Sequence, residues 1–191
     1  MHLGGAIDTD GSDKAARFLQ LCDAFDIPVL TLIDTPGIMV GPEVEHTALV
    51  RHCSRLFVIG SNIEVPMFSI VLRKWVGLGG LAMAGGSSRV PYFSVSWPTG
   101  EFAGMGLEGS VKLGYRDELA AIEDPVARRA KYEEMVARAY ERGKALNNAA
   151  VFGIDDTIDP ADTRHWMANL LASIRPPEPR AGKKRAAIDA W

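Results

Sequence analysis

The sequence predicts an α/β fold built around a parallel β-sheet. Short segments rich in β-branched residues alternate with longer segments whose apolar residues recur at helical spacing. Two of the short segments, 28–33 and 66–72, are apolar almost throughout, which is typical of strands that are buried on both faces. Strands that alternate with helices in this way are joined by right-handed crossovers, and neighbouring strands are then parallel.

The first elements in chain order are a strand, a helix and a buried strand. Residues 3–7 are interpreted as the end of a strand, and residues 10–12 offer a cap for the following helix. The buried strand at 28–33 ends at the Asp-Thr-Pro-Gly sequence 34–37, which contains two strong turn residues. The apolar face of the helix is predicted to contain Phe18, Leu21, Cys22 and Phe25.

A second helix and two further strands follow. The helix is predicted over residues 44–59, and the strands are predicted over 66–72 and 93–97. Pro98 ends the last of these strands. The inward face of the helix is predicted to contain Ala48, Leu49, Cys53, Leu56 and Phe57.

The second half is richer in charged residues and more helical. Residues 117–146 follow a helical pattern that Pro125 interrupts. Charged neighbours such as Glu134 and Arg138 indicate that one face of this helix is solvated. Residues 152–158 predict one more strand.

The last predicted element is a helix that begins at Asp159 and ends at Ile174. The remainder has three prolines and five lysines or arginines, so it is predicted to be extended over a surface or disordered. We therefore expect one domain over residues 1–174 and an extended basic tail over residues 175–191.

Composition narrows the class of protein. With 191 residues, 47% hydrophobic and 24% charged, the chain is predicted to be one globular domain with a substantial core. A net charge of −3 gives no electrostatic reason to expect binding to nucleic acid or a membrane surface. No apolar run approaches the ~20 residues of a membrane span, and no signal peptide is recognised. Cys22 and Cys53 are predicted to be small buried residues of a reducing compartment, which favours a cytoplasmic location.

A glycine-rich turn is the candidate functional site. Residues 73–86 read Arg-Lys-Trp-Val-Gly-Leu-Gly-Gly-Leu-Ala-Met-Ala-Gly-Gly and follow a predicted strand. Its glycines permit a sharp turn and a close approach of a ligand to the backbone. The helix that follows would direct unpaired N–H groups at the turn, which suits an anion or an oxyanion. A closely packed turn without a ligand is the alternative, and both interpretations stay open here.

Two nucleotide-binding motifs are incomplete. Residues 34–37 imitate a GTPase switch, but the chain has no G-x-x-x-x-G-K-[S/T] sequence. Residues 77–82 match a degenerate form of the dinucleotide-binding motif, G-x-G-x-x-A. However, no acidic residue stands at the end of the strand predicted at 93–97, where that motif requires one.

Side chains with catalytic chemistry are also sparse. His46 and His52 do not share a helical face, so a metal site there is not favoured. Glu101 and Glu108 flank a glycine-rich segment and form a possible carboxylate pair, although such residues more often cap helices or solvate loops. An enzyme of this sequence would therefore need backbone electrostatics or chemistry supplied by a cofactor.

Several long stretches of the chain occur together in the order known from one enzyme family. They are Gly-Ala-Ile-Asp-Thr-Asp-Gly-Ser-Asp-Lys-Ala-Ala-Arg-Phe at 5–18, Cys-Asp-Ala-Phe-Asp-Ile-Pro at 22–28, Asp-Thr-Pro-Gly at 34–37, Arg-Lys-x-x-Gly-x-Gly at 73–79, Trp-Pro-Thr-Gly at 97–100, Gly-Met-Gly-Leu-Glu-Gly at 104–109 and Gly-Lys-Lys-Arg at 182–185. These stretches resemble the biotin-dependent acyl-CoA carboxyltransferases, and the resemblance covers nearly the whole chain.

The resemblance implies a crotonase-like ββα spiral, as the second of two homologous domains of a carboxyltransferase subunit. In that family a carboxyl group passes from carboxybiotin, carried on a partner protein, to the α-carbon of an acyl-CoA of the propionyl or acetyl class. Biotin serves as its own base, which explains why no catalytic side chain stands out. No metal is expected in this chain. The implied partners are a biotin carboxyl carrier and a biotin carboxylase component. Independently of the resemblance, the strands that are apolar on both faces predict a dimer or a larger assembly, with the helix over 44–59 among the contacts.

The resemblance also assigns roles to residues of the glycine turn. The family's second domain holds the ureido oxygen of biotin in a backbone oxyanion hole, which falls on the N–H groups of Leu78 and Gly79. Gly77 and Gly80 would shape the turn. Leu81 falls where the family tunes the acyl pocket, and its apolar side chain does not identify a particular acyl chain.

Two departures from the family pattern qualify the resemblance. Many relatives have a small residue in place of Trp75 and an aromatic residue in place of Val76, so the rim of the pocket is expected to differ. Residues 1–5 resemble the middle of a family strand, so the domain is expected to be truncated at its N-terminus. On that expectation the chain is a fragment, or a separate chain supplies the first domain.

Two other functions are left open by the sequence. One is a non-catalytic scaffold or remnant of the same fold that lacks the acyl-CoA-binding first domain. The other is a crotonase-type hydratase or isomerase, which is less favoured because it would need its own acyl-CoA oxyanion hole and a carboxylate base.

Overall fold

The computed structural model describes residues 2–189. Its elements are a 3₁₀ turn at His2–Gly5, α1 (Thr9–Ala24), β1 (Val29–Thr35), α2 (Pro42–Glu45), α3 (Leu49–Gly60), β2 (Met67–Val76), α4 (Gly77–Met83), β3 (Phe93–Ser96), β4 (Glu101–Ala103), α5 (Leu107–Gly114), α6 (Arg116–Ala120), α7 (Pro125–Arg142), α8 (Ala145–Ala150), β5 (Asp156–Thr157), a second 3₁₀ turn at Pro160–Asp162 and α9 (Thr163–Ser173).

The strands form one parallel sheet, as the alternation of strands and helices predicts. The order is β1-β2-β3-β5, and β4 pairs with the second half of β2. β2 is the longest strand and lies at the centre, because β1 pairs along one edge while β3 and then β4 pair along the other. The α/β class is therefore confirmed.

Helices cover both faces of this sheet. On one face α1 and α3 pack over a cluster that includes Val29 and Met67. On the other face α9 packs through Trp166 and Met167 against a cluster that contains Phe68. A third cluster of Ile33, Val71, Trp75 and Ala84 lies under the glycine turn.

The predicted apolar face of the first helix is largely exposed, and only Cys22 of its four residues is buried. Phe18 and Phe25 have exposed fractions of 59% and 68%, and Leu21 is partly exposed as well. Instead α1 turns small residues such as Ser12 and Ala16 inward, and the Ser12 hydroxyl lies 3.0 Å from the Cys53 sulfur on α3. Small side chains let two helices approach closely, whereas periodicity alone does not tell which face is covered.

Two predictions for the beginning of the chain are wrong. Residues 2–5 form a 3₁₀ turn, and only Ile7 makes a strand-like bridge, with Ile38. The cap of α1 is Asp8 instead of residues 10–12. Asp8 has an extended backbone, and its side chain accepts a hydrogen bond from the Gly11 amide at 2.8 Å.

The helix predicted over 44–59 is two helices. Ala48 has a left-handed conformation, with φ at +57°, and separates α2 from α3. Because of this break Ala48 is exposed instead of inward. Leu49, Cys53 and Leu56 are buried as predicted, and Phe57 packs at the edge of the same cluster.

Other strand boundaries differ from the predictions. β2 extends to Val76 because β4 pairs with its last three residues, Lys74 to Val76. β5 contains two residues instead of the predicted segment 152–158, since Phe152 has a positive φ of +58° directly after α8. Sequence patterns did not identify β4 or α5, whereas the helical pattern predicted over 117–146 is divided into α6, α7 and the start of α8.

In the second half, Pro125 is the first residue of α7, and Glu134 forms the expected ion pair with Arg138 at 2.8 Å. The last α-helix ends at Ser173 and leads into residues without regular structure. Met1 of the predicted domain and residues 190 and 191 of the predicted tail lie outside the described residues.

Candidate functional site

The glycine turn joins the end of β2 to the start of α4. Gly77 has a φ of +54°, a left-handed conformation that residues with a Cβ rarely adopt, and Val76 precedes α4 without a side-chain cap. Within residues 2–189, the amides of Leu78 and Gly79 donate to no group outside their own helix. Because the first turn of a helix has no intrahelical acceptor for these groups, two neighbouring N–H donors are left for solvent or a ligand.

Close backbone packing explains why the turn requires glycine. A Cβ on Gly77 would lie 2.9 Å from the Gly104 carbonyl oxygen, and a Cβ on Gly79 would lie 2.7 Å from the Gly37 backbone. A Cβ on Gly80 would overlap the indole ring of Trp75. Close packing alone therefore explains why glycine occupies all three positions. This explanation is compatible with a ligand at the unpaired amides.

The Asp-Thr-Pro-Gly sequence lies against the turn. Gly37 packs on Gly79, and the hydroxyl of Thr35 accepts a hydrogen bond from the Gly37 amide at 3.1 Å. Asp34 receives hydrogen bonds from Arg73 Nε at 2.9 Å and from the Lys74 amide at 3.2 Å. Two motifs about 40 residues apart are thus joined, and the hydrogen bond to Asp34 raises the pKa of the Arg73 guanidinium.

The remaining glycine-rich motifs border the same turn. The Thr99 hydroxyl donates to the Leu72 carbonyl at 2.5 Å, which ties the Trp-Pro-Thr-Gly sequence to β2. β4 runs beside the end of β2, so the segment Gly104 to Gly106 lies next to Gly77. These contacts gather four of the seven matching stretches at one end of the sheet.

Leu78 and Leu81 differ in their environments. Leu78 has an exposed fraction of 60%, which leaves its side chain at the surface. Leu81 is partly buried, and it lines a cavity of about 380 Å³ together with Trp75 and Phe102. Larger cavities lie elsewhere, including one of about 720 Å³ between the tail and the start of β2, and none of the turn residues lines that one.

The two residues of the predicted carboxylate pair, Glu101 and Glu108, lie in different elements and have different surroundings. Glu101 lies in β4, whereas Glu108 lies in the first turn of α5. Glu108 accepts a hydrogen bond from the Tyr140 hydroxyl at 2.7 Å, and this bond lowers the pKa of Glu108 and raises the pKa of Tyr140 to about 12. The sequence did not identify Tyr140 as a partner of Glu108, because a contact across 32 positions has no local signal.

The histidines and cysteines do not form a site. His52 Nδ1 lies 2.6 Å from Asp13, and Cys22 and Cys53 are buried and free. Among residues 2–189, no group of three or more His, Cys, Asp or Glu side chains is placed to bind a metal ion. In the same part of the chain no helix is both long and apolar enough to span a membrane.

Comparison with known proteins places the chain in a family. The family model described as the carboxyl transferase domain matches residues 1–184. The chain therefore belongs to the carboxyl transferase domain family, and the resemblance to the biotin-dependent acyl-CoA carboxyltransferases is confirmed.

Curated relatives agree with this assignment. The chain is 37% identical over 172 residues to the propionyl-CoA carboxylase carboxyltransferase subunit of Haloferax mediterranei, covering 90% of this chain and 32% of the relative. It is 38% identical over 172 residues to the methylmalonyl-CoA carboxyltransferase 12S subunit of Propionibacterium freudenreichii subsp. shermanii, covering 88% of this chain and 32% of the relative. The chain thus spans about a third of the length of these relatives.

Solved structures confirm the fold. A transcarboxylase 12S structure superposes with a TM-score of 0.81 at 33% identity, covering 97% of this chain and 35% of that chain. A single-chain, multi-domain long-chain acyl-CoA carboxylase superposes with a TM-score of 0.77 at 53% identity, covering 88% of this chain and 16% of that chain. The chain therefore has the crotonase-like fold of carboxyltransferase domains.

Proposed function

We propose that the chain is the biotin-side half of an acyl-CoA carboxyltransferase. The observation that carries the proposal is the pair of neighbouring amides on Leu78 and Gly79, which follow the Arg-Lys strand and have no acceptor outside α4. Family membership supports the reaction class, and carboxybiotin, when bound, would supply the carboxyl group that is transferred to an acyl-CoA of the propionyl or acetyl class.

The residues around the turn fit an oxygen acceptor. Gly79 is buried, and a buried amide without an acceptor is unfavourable, so an oxygen acceptor from a ligand would stabilise it. The exposed Leu78 leaves the approach to its own amide open. In this proposal Gly77 and Gly80 hold the turn, Leu81 shapes the neighbouring pocket, and Asp34 fixes Arg73 beside the site.

The proposed partners follow from the relatives, two of which are named as subunits of larger enzymes. The chain would act with a biotin carboxyl carrier, a biotin carboxylase component and an acyl-CoA-binding first domain or subunit. The acyl-CoA-binding half is assigned to residues outside this chain because the chain spans about a third of its relatives. A cytoplasmic location stays a prediction from the sequence.

A reconstitution tests the proposal. The purified chain, the acyl-CoA-binding domain of a carboxyltransferase relative and a carboxylated biotin carrier would be combined with propionyl-CoA. We expect labelled carboxyl transfer only when both halves are present, because removing even one oxyanion donor costs about 10²–10³ in rate and each half would supply a whole oxyanion hole.

Two outcomes would contradict the proposal. Efficient carboxylation of propionyl-CoA by the chain alone would show that it contains the acyl-CoA side as well. A stable complex with several acyl-CoA-binding domains that never transfers the carboxyl group would favour the non-catalytic scaffold.

We also propose that the chain associates with copies of itself. Large apolar residues on α1, at its C-cap and on β1 are more than half exposed, and they include Phe18, Phe25 and Leu32. Apolar patches of this kind drive association. One structural relative is described as a hexamer assembly. α3 forms most of the helix predicted over 44–59, and its Val50 and Val58 are also exposed, so this helix stays a predicted contact.

Light scattering at micromolar concentration should therefore give the mass of a dimer or a larger assembly. Replacing Phe18 and Leu32 by glutamine should lower this mass, because it removes exposed apolar surface without changing the core. Val126→Gln on α7 is the matched control, since Val126 is exposed at 77% but lies on a different helix. A monomeric wild-type chain would contradict the proposal.

A further inference from the structure

Two tyrosines of α7 hold the first turn of α5. The Tyr140 hydroxyl donates to Glu108 Oε1 at 2.7 Å, and the Tyr132 hydroxyl donates to the Glu108 carbonyl oxygen at 3.4 Å. The Lys112 ammonium of α5 lies 5.6 Å from the centre of the Tyr132 ring. The carboxylate of Glu108 therefore attaches the first turn of α5 to α7, and the two contacts of Tyr132 are weaker.

The residues directly after α7 hold β4 in turn. The Phe102 amide donates to the Gly143 carbonyl at 2.7 Å, and the Ala145 amide donates to the Gly100 carbonyl at 2.9 Å. These bonds place the residues that follow α7 along the free edge of β4. α7 and the residues directly after it thus fix the chain on both sides of the segment Gly104 to Gly106.

This short segment touches the glycine turn. The Gly104 carbonyl oxygen lies 2.9 Å from the position that a Cβ on Gly77 would occupy. A Cβ on Gly104 or Gly106 would meet no atom within 4 Å, and both residues are exposed. Because so little covers the segment itself, the contacts at its two ends determine where it lies relative to Gly77.

We propose that Tyr140 and Glu108 are positioning residues, whose hydrogen bond fixes the segment Gly104 to Gly106 against the turn that carries the Leu78 and Gly79 amides. This inference rests on the proposed function. It adds a pair of side chains that touch no substrate and act through the turn. Since the pKa of Glu108 is lowered and that of Tyr140 is raised to about 12, an ionised acceptor and a protonated donor coexist at neutral pH.

The test is a double-mutant cycle in the reconstituted complex. Tyr140→Phe removes only the hydroxyl, and we expect kcat for carboxyl transfer to fall about 10-fold to 100-fold, because small displacements of positioned groups have effects of this size. The KM for the carboxylated carrier should change little, since a positioning role acts on the transition state. Glu108→Ala should have the same effect, and the double variant should be no slower than the slower single variant.

Two matched variants separate positioning from general stability. Tyr132→Phe also removes a tyrosine hydroxyl from α7, but one with a long bond to a backbone carbonyl, so activity should stay close to that of the wild type. Glu108→Gln keeps an oxygen acceptor for Tyr140 and should restore most of the activity that Glu108→Ala loses. Strictly additive effects in the cycle, or equal losses in Tyr132→Phe and Tyr140→Phe, would overturn the inference.

Hydrogen exchange gives a readout that does not depend on activity. In Tyr140→Phe we expect faster amide exchange in peptides covering 100–110 and 74–83, with no change in a peptide covering α3. Unchanged exchange in both peptides would overturn the positioning role even if the wild-type complex transfers carboxyl groups. An inactive wild-type complex would instead count against the proposed function, and the exchange result would still decide whether the pair positions the turn.

Discussion

Replacing Lys184 and Arg185 together by methionine is expected to lower the free energy of unfolding by about 3–5 kcal/mol, the usual cost of removing one side of a buried ion pair. Asp23 on α1 is 1% exposed, and it receives hydrogen bonds from Lys184 Nζ at 2.9 Å and Arg185 Nε at 2.6 Å. The Glu64 amide donates to the same carboxylate at 2.8 Å. Without the two cations, a buried carboxylate would remain near the negative end of a helix.

Urea unfolding at neutral pH measures this loss. Lys183→Met is the matched control, because Lys183 is the neighbouring residue and its side chain is exposed. Adding Asp23→Asn to the double variant should recover part of the stability, since it removes the uncompensated charge. A loss below about 1 kcal/mol, the value of a surface pair, would contradict the contribution of the tail.

The free energy of unfolding that the double variant loses should depend on pH in a definite direction. Burial alone would raise the pKa of Asp23, but hydrogen bonds from Glu64, Lys184, Arg185 and Val65 together hold it below the ordinary value of 3.8. A carboxylate with a lowered folded-state pKa contributes stability above its ordinary pKa, and that contribution is lost as the pH falls through the folded-state value. The difference between wild type and the double variant should therefore be largest near neutral pH and shrink in strong acid.

Leu78→Pro is expected to reduce carboxyl transfer about 10²–10³-fold in the reconstituted complex, which is the typical effect of removing one oxyanion donor. Proline has no N–H, and it is tolerated in the first helical turn, where that group has no intrahelical partner. Because Gly77 has no Cβ, part of the usual clash with a following proline is absent. The substitution therefore removes the proposed donor and leaves the rest of α4 in place.

Leu78→Ala is the control that keeps the N–H group. It should remain close to wild-type activity, because the Leu78 side chain is 60% exposed. Both variants should show the wild-type circular dichroism spectrum. A folded Leu78→Pro variant with normal transfer would contradict the assignment of this amide. Gly79 is less suitable for the test, since any Cβ there would collide with the Gly37 backbone and alter the fold as well.

Local sequence patterns were sufficient to predict an element where one strong preference decides it, such as an apolar run, a proline or a turn glycine. The apolar segments 28–33 and 66–72 have no polar face, and they form β1 and most of β2. The first half of β2 is buried on both faces as predicted, but β1 is the edge strand of the described sheet and its Leu30 and Leu32 are exposed, so that part of the prediction is wrong. Pro125 lacks the amide that a helix interior requires, so it begins α7. Gly77 could also be predicted locally, because a sharp turn after a strand requires a residue that can adopt a positive φ.

The sequence predicted less well which face of a helix is buried. The exposed Phe18, Leu21 and Phe25 recur at helical spacing along α1 and its C-cap, yet the helix packs through residues such as Ser12 and Ala16. Periodicity identifies a stripe, but only the neighbouring α3 determines which side is covered. The boundary between α2 and α3 had no local signal either, since alanine seldom adopts the left-handed conformation that Ala48 has.

The sequence by itself determined the α/β class, the strand-to-helix glycine turn and, through its long motifs, the carboxyl transferase family. Only the tertiary structure placed Gly37 against Gly79, Tyr140 against Glu108 and Lys184 against Asp23. Each of these contacts joins residues more than 30 positions apart, so its free energy depends on packing and desolvation that no local pattern encodes. The strand and turn propensities act within a few residues, and for that reason they could be predicted from the chain alone.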